Sequence, residues 1–235
     1  MVYVMSDIHG CGSRFENVLQ KINLQSEDAL YILGDVIDRG PDGIRVLRRI
    51  MNTPNMKMLL GNHEYMMLES LYYPSLEKNK HISKDWIQKT KVDVWYRNGG
   101  RVTHDYLKHI QKSVRQEVFE YVADLPLNIP IEVNSQKYLL VHAAVVDNFE
   151  KYGYEYADRT EYAVFSRDVY REPVPEDTVV VFGHTPTMYF EYDNPLQIWK
   201  TENRIGIDCG CAIKQSFSRL GCLRLDDLQE FYSDD

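Results

Sequence analysis

The sequence predicts an α/β fold, and three observations carry the prediction. Three strand–loop–helix units follow one another before residue 70. Residues 65–125 then lose strand patterning and take up helical spacing, and apolar strand-like runs return from Leu127 onward. The 235 residues, 44% hydrophobic and 26% charged, are ordinary globular material. The chain reads as one domain over 1–235. The helical stretch at about 65–125 reads as an insertion, because no flexible linker flanks it.

Val2–Met5 reads as a buried strand, followed by Ser6-Asp7-Ile8-His9-Gly10. Asp7 and His9 are two apart and share one side of an extended backbone. Ser13-Arg14-Phe15-Glu16 has the form of a capping box. Phe15, Val18, Leu19 and Ile22 then line one helical face. The second unit has a strand at 29–33 and a loop at 34–40 carrying Asp35, Asp38 and Arg39. Its helix is expected from Pro41, whose fixed φ suits a first helical position, with Ile44, Leu47 and Met51 on the apolar face. The third unit is Met56–Leu60, then Gly61-Asn62-His63-Glu64, then a helix. Serial units of this kind imply parallel βαβ pairing, with chemistry in the loops beyond the strand ends.

In the insertion, Tyr106, Leu107 and Ile110 keep helical spacing, as do Val114, Val118, Phe119 and Val122. Asn98-Gly99-Gly100 breaks the helices and Pro126 ends them. In the second half, Leu127–Val133 and Lys137–Val141 flank Asn134-Ser135-Gln136, a hairpin pattern. Thr178–Phe182 and Arg204–Ile207 are further strands, and Leu220–Leu225 alternates like a half-exposed one.

The net charge of −8 argues against nonspecific binding to nucleic acid or anionic membrane. It leaves room for a phosphorylated substrate at a local cationic centre. No apolar run reaches the ~18 residues of a membrane helix, and no basic-then-apolar leader precedes Val2. The chain therefore reads as cytoplasmic. The four cysteines, Cys11, Cys209, Cys211 and Cys222, form no C-x-x-C pair and read as free thiols.

The strand ends offer Asp7 and His9, Asp35 and Asp38, Asn62 and His63, His142, and His184, so four of the seven histidines sit just past an apolar run. Carboxylate, imidazole and amide donors without thiolate suit divalent manganese, iron or zinc. Six candidate ligands are too many for one metal that must keep open positions. Two metals sharing a carboxylate fit better, and such pairs clamp in-line displacements at phosphorus. Arg39 adds a fixed fork of donors for phosphate oxygens.

Asp7-Ile8-His9-Gly10, Gly34-Asp35-Val36-Ile37-Asp38-Arg39-Gly40 and Gly61-Asn62-His63-Glu64 resemble the three signature blocks of the phosphoprotein phosphatase family, within the calcineurin-like metallophosphoesterases. Val141-His142-Ala143 and Gly183-His184-Thr185-Pro186 resemble its two later histidine blocks. Length and the Asn98-Gly99-Gly100 element look closest to the bacterial and bacteriophage-lambda type. The resemblance implies two mixed β-sheets packed as a sandwich with helices outside. It implies that Asp7 and His9 hold one metal, that Asp35 bridges, and that Asn62, His142 and His184 complete the second. It further implies that water activated by the metals attacks phosphorus without a phosphoenzyme. His63 would then protonate the leaving group, Asp38 orient His63, and Arg39 and Arg167, with Asn62, bind substrate. Phe165-Ser166-Arg167-Asp168 resembles the block supplying the second arginine.

Symmetrical dinucleoside tetraphosphatases share most of these blocks. That branch usually lacks an acid at the position of Asp38 and carries aspartate where Glu64 stands. Asp38, Glu64 and Thr185-Pro186-Thr187 thus favour a serine/threonine protein phosphatase acting on a phosphorylated protein or peptide, with no obligate partner implied. A nucleotide phosphohydrolase is the alternative, and a non-catalytic phosphoprotein-binding module the alternative of another class. Tyr152, Tyr154, Tyr156 and Tyr162 read as loop packing before a substrate lip, and Lys78–Lys91, with five lysines, as a solvated helix face.

Overall fold

Strands that are apolar at consecutive positions need cover on both faces, and the first two have it, while the third, at the sheet edge, leaves Lys57 exposed. β1 (Val2–Met5), β2 (Ala29–Ile32) and β3 (Met56–Met58) pair in parallel, with Val4 opposite Tyr31 and Ile32 opposite Met58. On one face lie the crossovers α1 (Gly12–Ile22) and α2 (Gly43–Met51), packed through Phe15, Val18, Leu47 and Ile50. The computed structural model describes residues 1–76 and 82–234, so the start of the lysine run lies outside the described residues. Lys89 and Lys91, within it, are exposed.

From Asn62 to Ala123 the described residues are mainly helical, as the spacing predicts. The chain runs through α3 (Asn62–Met67), a π-helical turn at Leu68–Tyr72, α4 (Tyr73–Leu76), α5 (Ile82–Arg97), α6 (Arg101–His109) and α7 (Lys112–Ala123). Trp95, Leu107, Val118 and Val122 bury this layer in the same core as α1 and α2.

β4 (Asn128–Val133) and β5 (Gln136–Val141) form the hairpin. Its turn is two residues long, with Asn134 and Ser135 both left-handed, φ 49° and 66°. Gln136 is therefore a strand residue paired with Val133. After α8 (Phe149–Tyr152) and α9 (Arg159–Phe165) come β6 (Thr178–Phe182), β7 (Trp199–Lys200), β8 (Arg204–Gly206), β9 (Gly221–Arg224) and β10 (Gln229–Tyr232). One five-stranded sheet has the order β10-β9-β1-β2-β3 and the other β4-β5-β6-β8-β7. Both mix parallel and antiparallel pairs. Val4, Tyr31, Leu33 and Leu223 of the first meet Leu140, Val181 and Ile205 of the second in one buried cluster. That face-to-face contact is the sandwich.

Three local expectations are corrected. Ser13 caps nothing: α1 starts at Gly12, after Cys11, with no side-chain cap. The crossing of two loops sets that start. Gly10 is left-handed, φ 67°, and a Cβ there would lie 2.3 Å from the Gly40 carbonyl oxygen. The same crossing, with Asp42 N–H donating to Gly10 O at 3.1 Å, holds Pro41 in a turn and delays α2 to Gly43. Finally, β9 is covered on both faces rather than half-exposed. Cys222 enters the helix-side core and Leu223 the inter-sheet core, so its alternation separates two cores.

Candidate active site

The parallel strands deliver their loops to one edge of the sandwich. Asp7 and His9 follow β1, Asp35, Asp38 and Arg39 follow β2, Asn62 and His63 follow β3, His142 follows β5 and His184 follows β6. The loops are laced by backbone hydrogen bonds: Asp7 N–H donates to Gly34 O at 3.2 Å, and His9 N–H to Asp35 O at 2.9 Å. Asp7, His9, Asp35, Asp38, Arg39 and His184 are left-handed, with φ from 47° to 72°. Such backbone is uncommon away from glycine, so its concentration here marks geometry imposed by the fold.

Lone pairs converge in the middle. His9 donates through Nδ1 to Ile37 O at 3.2 Å. Its Nε2 is left facing Asp35 Oδ2 at 3.6 Å and Asp7 Oδ1 at 3.8 Å. His142 donates through Nδ1 to Leu33 O at 2.6 Å, which turns its Nε2 toward Asn62 Oδ1 at 3.0 Å and Asp35 Oδ1 at 3.6 Å. His184 Nδ1 reaches the same Asn62 oxygen at 2.8 Å. Burial holds His9 and His184 well below, and His142 below, the usual imidazole range, so these rings favour their neutral, ligating form. At His9 and His142, whose Nδ1–H groups are taken by backbone carbonyls, a ring lone pair faces an oxygen acceptor, and His184 Nε2 is buried with no partner. A divalent cation held there would satisfy both sides.

Two groups of donors share Asp35: His9, Asp35 and His63, and Asp35, His142 and His184, each with donor atoms within 4.8 Å of one another. The residues present therefore fit a dinuclear centre with Asp35 between. His63 stands in the first group where the sequence expects Asp7. Both its ring nitrogens are engaged elsewhere, however, Nδ1 donating to Asp38 Oδ2 at 2.7 Å and Nε2 accepting from Arg39 Nη2 at 3.2 Å. Asp7 is the better candidate. Its Oδ2 accepts from Ser6 Oγ and from His184 N–H at 3.0 Å, and its Oδ1 faces His9.

Above this cluster lies a cleft of about 340 Å³, walled also by Arg39, Asn98, Arg167, Thr185, Tyr189 and Asp208. Arg39 and Arg167 thus share one cavity, although 128 positions separate them in the sequence. Arg167 Nη1 is steadied by Thr185 Oγ1 at 3.3 Å. Every candidate residue expected from the sequence lies at this edge. Several contributors were missed. Asp208 follows β8, a sixth strand end, so the strand-end rule could have flagged it. Burial and the Asp7 charge push its carboxyl well up. Glu64 is fully buried and accepts from the backbone N–H groups of Asp35, Val36 and Ile37 at 2.9, 2.9 and 3.2 Å. Trp95 donates to Asp38, and nothing in its sequence context announces that. Of the tyrosine group, Tyr162 is fully buried and donates to Glu172, and Tyr156 packs on its edge, which is loop packing, whereas Tyr154, 86% exposed, departs from that expectation. The aromatic ring at the cleft mouth is Tyr189, 65% exposed.

Fold and site together define a metal-dependent hydrolase of phosphate esters built on an α/β sandwich. The chain belongs to the calcineurin-like phosphoesterase family, whose model matches residues 1–204. It is similar to serine/threonine-protein phosphatase 2 of Salmonella typhimurium, 28% identical over 93% of this chain and 92% of that one. It is also similar to a symmetrical bis(5'-nucleosyl)-tetraphosphatase of Wigglesworthia glossinidia brevipalpis, 43% identical, over 35% of this chain and 30% of that one. Among solved structures, a cold-active protein-tyrosine phosphatase of a psychrophilic Shewanella superposes with TM-score 0.56 at 15% identity, covering 99% of this chain and 80% of that one. A protein serine/threonine phosphatase from Saccharomyces cerevisiae gives 0.53 at 14%, covering 100% and 79%. These two are likenesses of fold. Among the described residues no helix is long and apolar enough to cross a membrane.

Proposed function

We propose that this metallophosphoesterase is a serine/threonine phosphoprotein phosphatase. The observation that carries the reading is the Asp38–His63 pair, a buried carboxylate on Nδ1 that leaves Nε2 facing the cleft beside Arg39. A serine or threonine alkoxide is a poor leaving group and needs a proton from such an imidazole. Similarity along nearly the whole length of the Salmonella phosphatase supports the same reading.

In this proposal Asp7, His9 and Asp35 hold one divalent cation, and Asp35, Asn62, His142 and His184 the other. When bound, the two cations supply Lewis acidity and acidify a water for attack on phosphorus. Manganese suits the donor set, as do iron and zinc. Arg39 and Arg167 grip the phosphate oxygens from two sides as charge redistributes. Asn62 binds substrate beside them. With Arg39 turned to the phosphate and the ring protonated at both nitrogens, His63 Nε2 passes a proton to the leaving oxygen and returns to the neutral form seen here, Nδ1–H held by Asp38. The substrate is a phosphorylated protein or peptide in the cytoplasm.

The second reading, a dinucleoside tetraphosphatase, draws on Tyr189, an exposed ring at the mouth suited to stacking a base. Paired turnover in Mn²⁺ of a phosphoserine/phosphothreonine peptide and of diadenosine tetraphosphate separates the two. Preference for the peptide, lost on chelation, supports the proposal, and preference for the nucleotide overturns it.

A further inference from the structure

The helical insertion reaches the reacting groups at one point. Trp95, near the end of α5, is completely buried, and its Nε1–H donates to Asp38 Oδ2 at 2.7 Å. That oxygen already accepts from His63 Nδ1 at the same distance, while Asp38 Oδ1 has no partner among the described residues. Both donors therefore sit on one oxygen.

The indole is held on every side. Gly100 closes over it so tightly that a Cβ there would lie 2.3 Å from Nε1. The His104 ring stacks on it with planes 26° apart. One turn further on, Thr103 Oγ1 accepts the Asp38 N–H at 3.0 Å, and Gly99 O accepts the Arg39 N–H at 3.2 Å. The segment 95–104 thus clamps the backbone of both Asp38 and Arg39, and only Trp95 touches the Asp38 carboxylate.

We propose that Trp95 is a positioning residue for phosphoester hydrolysis, fixing which carboxylate oxygen of Asp38 faces His63. The proposal rests on the acid role of His63. Without the indole N–H, rotation about the Asp38 Cβ–Cγ bond is restrained by His63 alone, the group that must move a proton. The imidazole then samples orientations that miss the leaving oxygen, and turnover falls while substrate binding holds.

A double-mutant cycle tests this, with kcat and KM measured on a phosphoserine peptide for wild type, Trp95→Phe, Asp38→Asn and the double variant. Trp95→Phe should lower kcat ~tenfold, a fraction of the ~10²–10⁴ due to a general acid, with KM little changed. On the Asp38→Asn background it should cost less than ~twofold. Equal losses in both backgrounds mean a merely structural tryptophan and overturn the proposal. Full activity of Asp38→Asn alone overturns the acid reading and this proposal together, so the two failures are distinguishable. Should Trp95→Phe not fold, the indole ¹H–¹⁵N signal decides. Trp86, Trp95 and Trp199 are the tryptophans, so Trp86→Phe and Trp199→Phe assign it by elimination. Asp38→Asn should move the Trp95 N–H upfield and speed its exchange with solvent, and an unmoved signal refutes the contact.

Discussion

Glu64→Asp exchanges the residue that resembles the protein-phosphatase pattern for the one found in the nucleotide branch. The structure says what that exchange does. Glu64 has no exposed surface and does not wall the cleft. Its carboxylate instead ties down three consecutive backbone N–H groups, those of Asp35, Val36 and Ile37. Aspartate is shorter by one carbon–carbon bond of ~1.5 Å. Contacts of 2.9, 2.9 and 3.2 Å stretch well past hydrogen-bonding range unless the loop follows. A buried N–H left unpaired costs ~1–3 kcal/mol. Taking the low end for each, to allow for relaxation, gives ~3 kcal/mol. At this chain length that is a fall of ~6–12 °C in Tm. Thermal unfolding followed by circular dichroism in excess chelator measures it apart from any bound metal. Because Asp35 shifts with its loop, turnover of phosphopeptide and of diadenosine tetraphosphate should fall by the same factor, within ~threefold. An unchanged Tm, or a preference swung tenfold toward the nucleotide, would refute a purely scaffolding role.

Three further outcomes follow from the same geometry. His63→Asn should cut kcat by ~10²–10⁴ with metal content unchanged by atomic emission, and loss of metal would make His63 a ligand. Asp35→Asn should no longer bind two Mn²⁺ per chain in equilibrium dialysis, and intact stoichiometry would count against bridging. The Cys11 thiol pKa is lowered from 9.0 to about 7, because the Cys211 thiol donates to its sulfur and the Arg14 charge lies beside it. A lowered thiol pKa means thiolate at lower pH, so iodoacetamide alkylation of Cys11 should rise through about pH 7 in the folded protein. A rate that climbs only near 9.0 would show an ordinary thiol.

Much of the site was legible because its residues sit at fixed offsets from apolar runs. Asp7, Asp35, Asn62, His142 and His184 each follow a strand, and parallel strands bring such loops to one edge. Arg167, on no strand end, came from resemblance alone, and the structure places it in the same cleft as Arg39. What stayed hidden depends on tertiary crossing. Trp95 lies 57 positions from Asp38 on a helix with no pronounced apolar face. Glu64 reads as one more acid in a motif, yet it binds backbone rather than substrate. The starts of α1 and α2 were misread because two loops touch at Gly10 and Gly40, and that contact outweighs local capping preference. The partnership of β9 with β1 joins opposite ends of the chain, which no local pattern encodes.

The left-handed backbone at Asp7, His9, Asp35, Asp38, Arg39 and His184 divides the work between folding and ion capture. Such backbone costs up to ~1–2 kcal/mol per residue, less at the aspartates, whose short side chains tolerate it, and the fold bears that cost before any ion arrives. Capture of an ion would then order little further chain. The same backbone governs how the cradle should be dissected. Asparagine tolerates this conformation better than alanine does. An asparagine series therefore reports the lost donor atom, whereas an alanine series would add the strain of the turn to it.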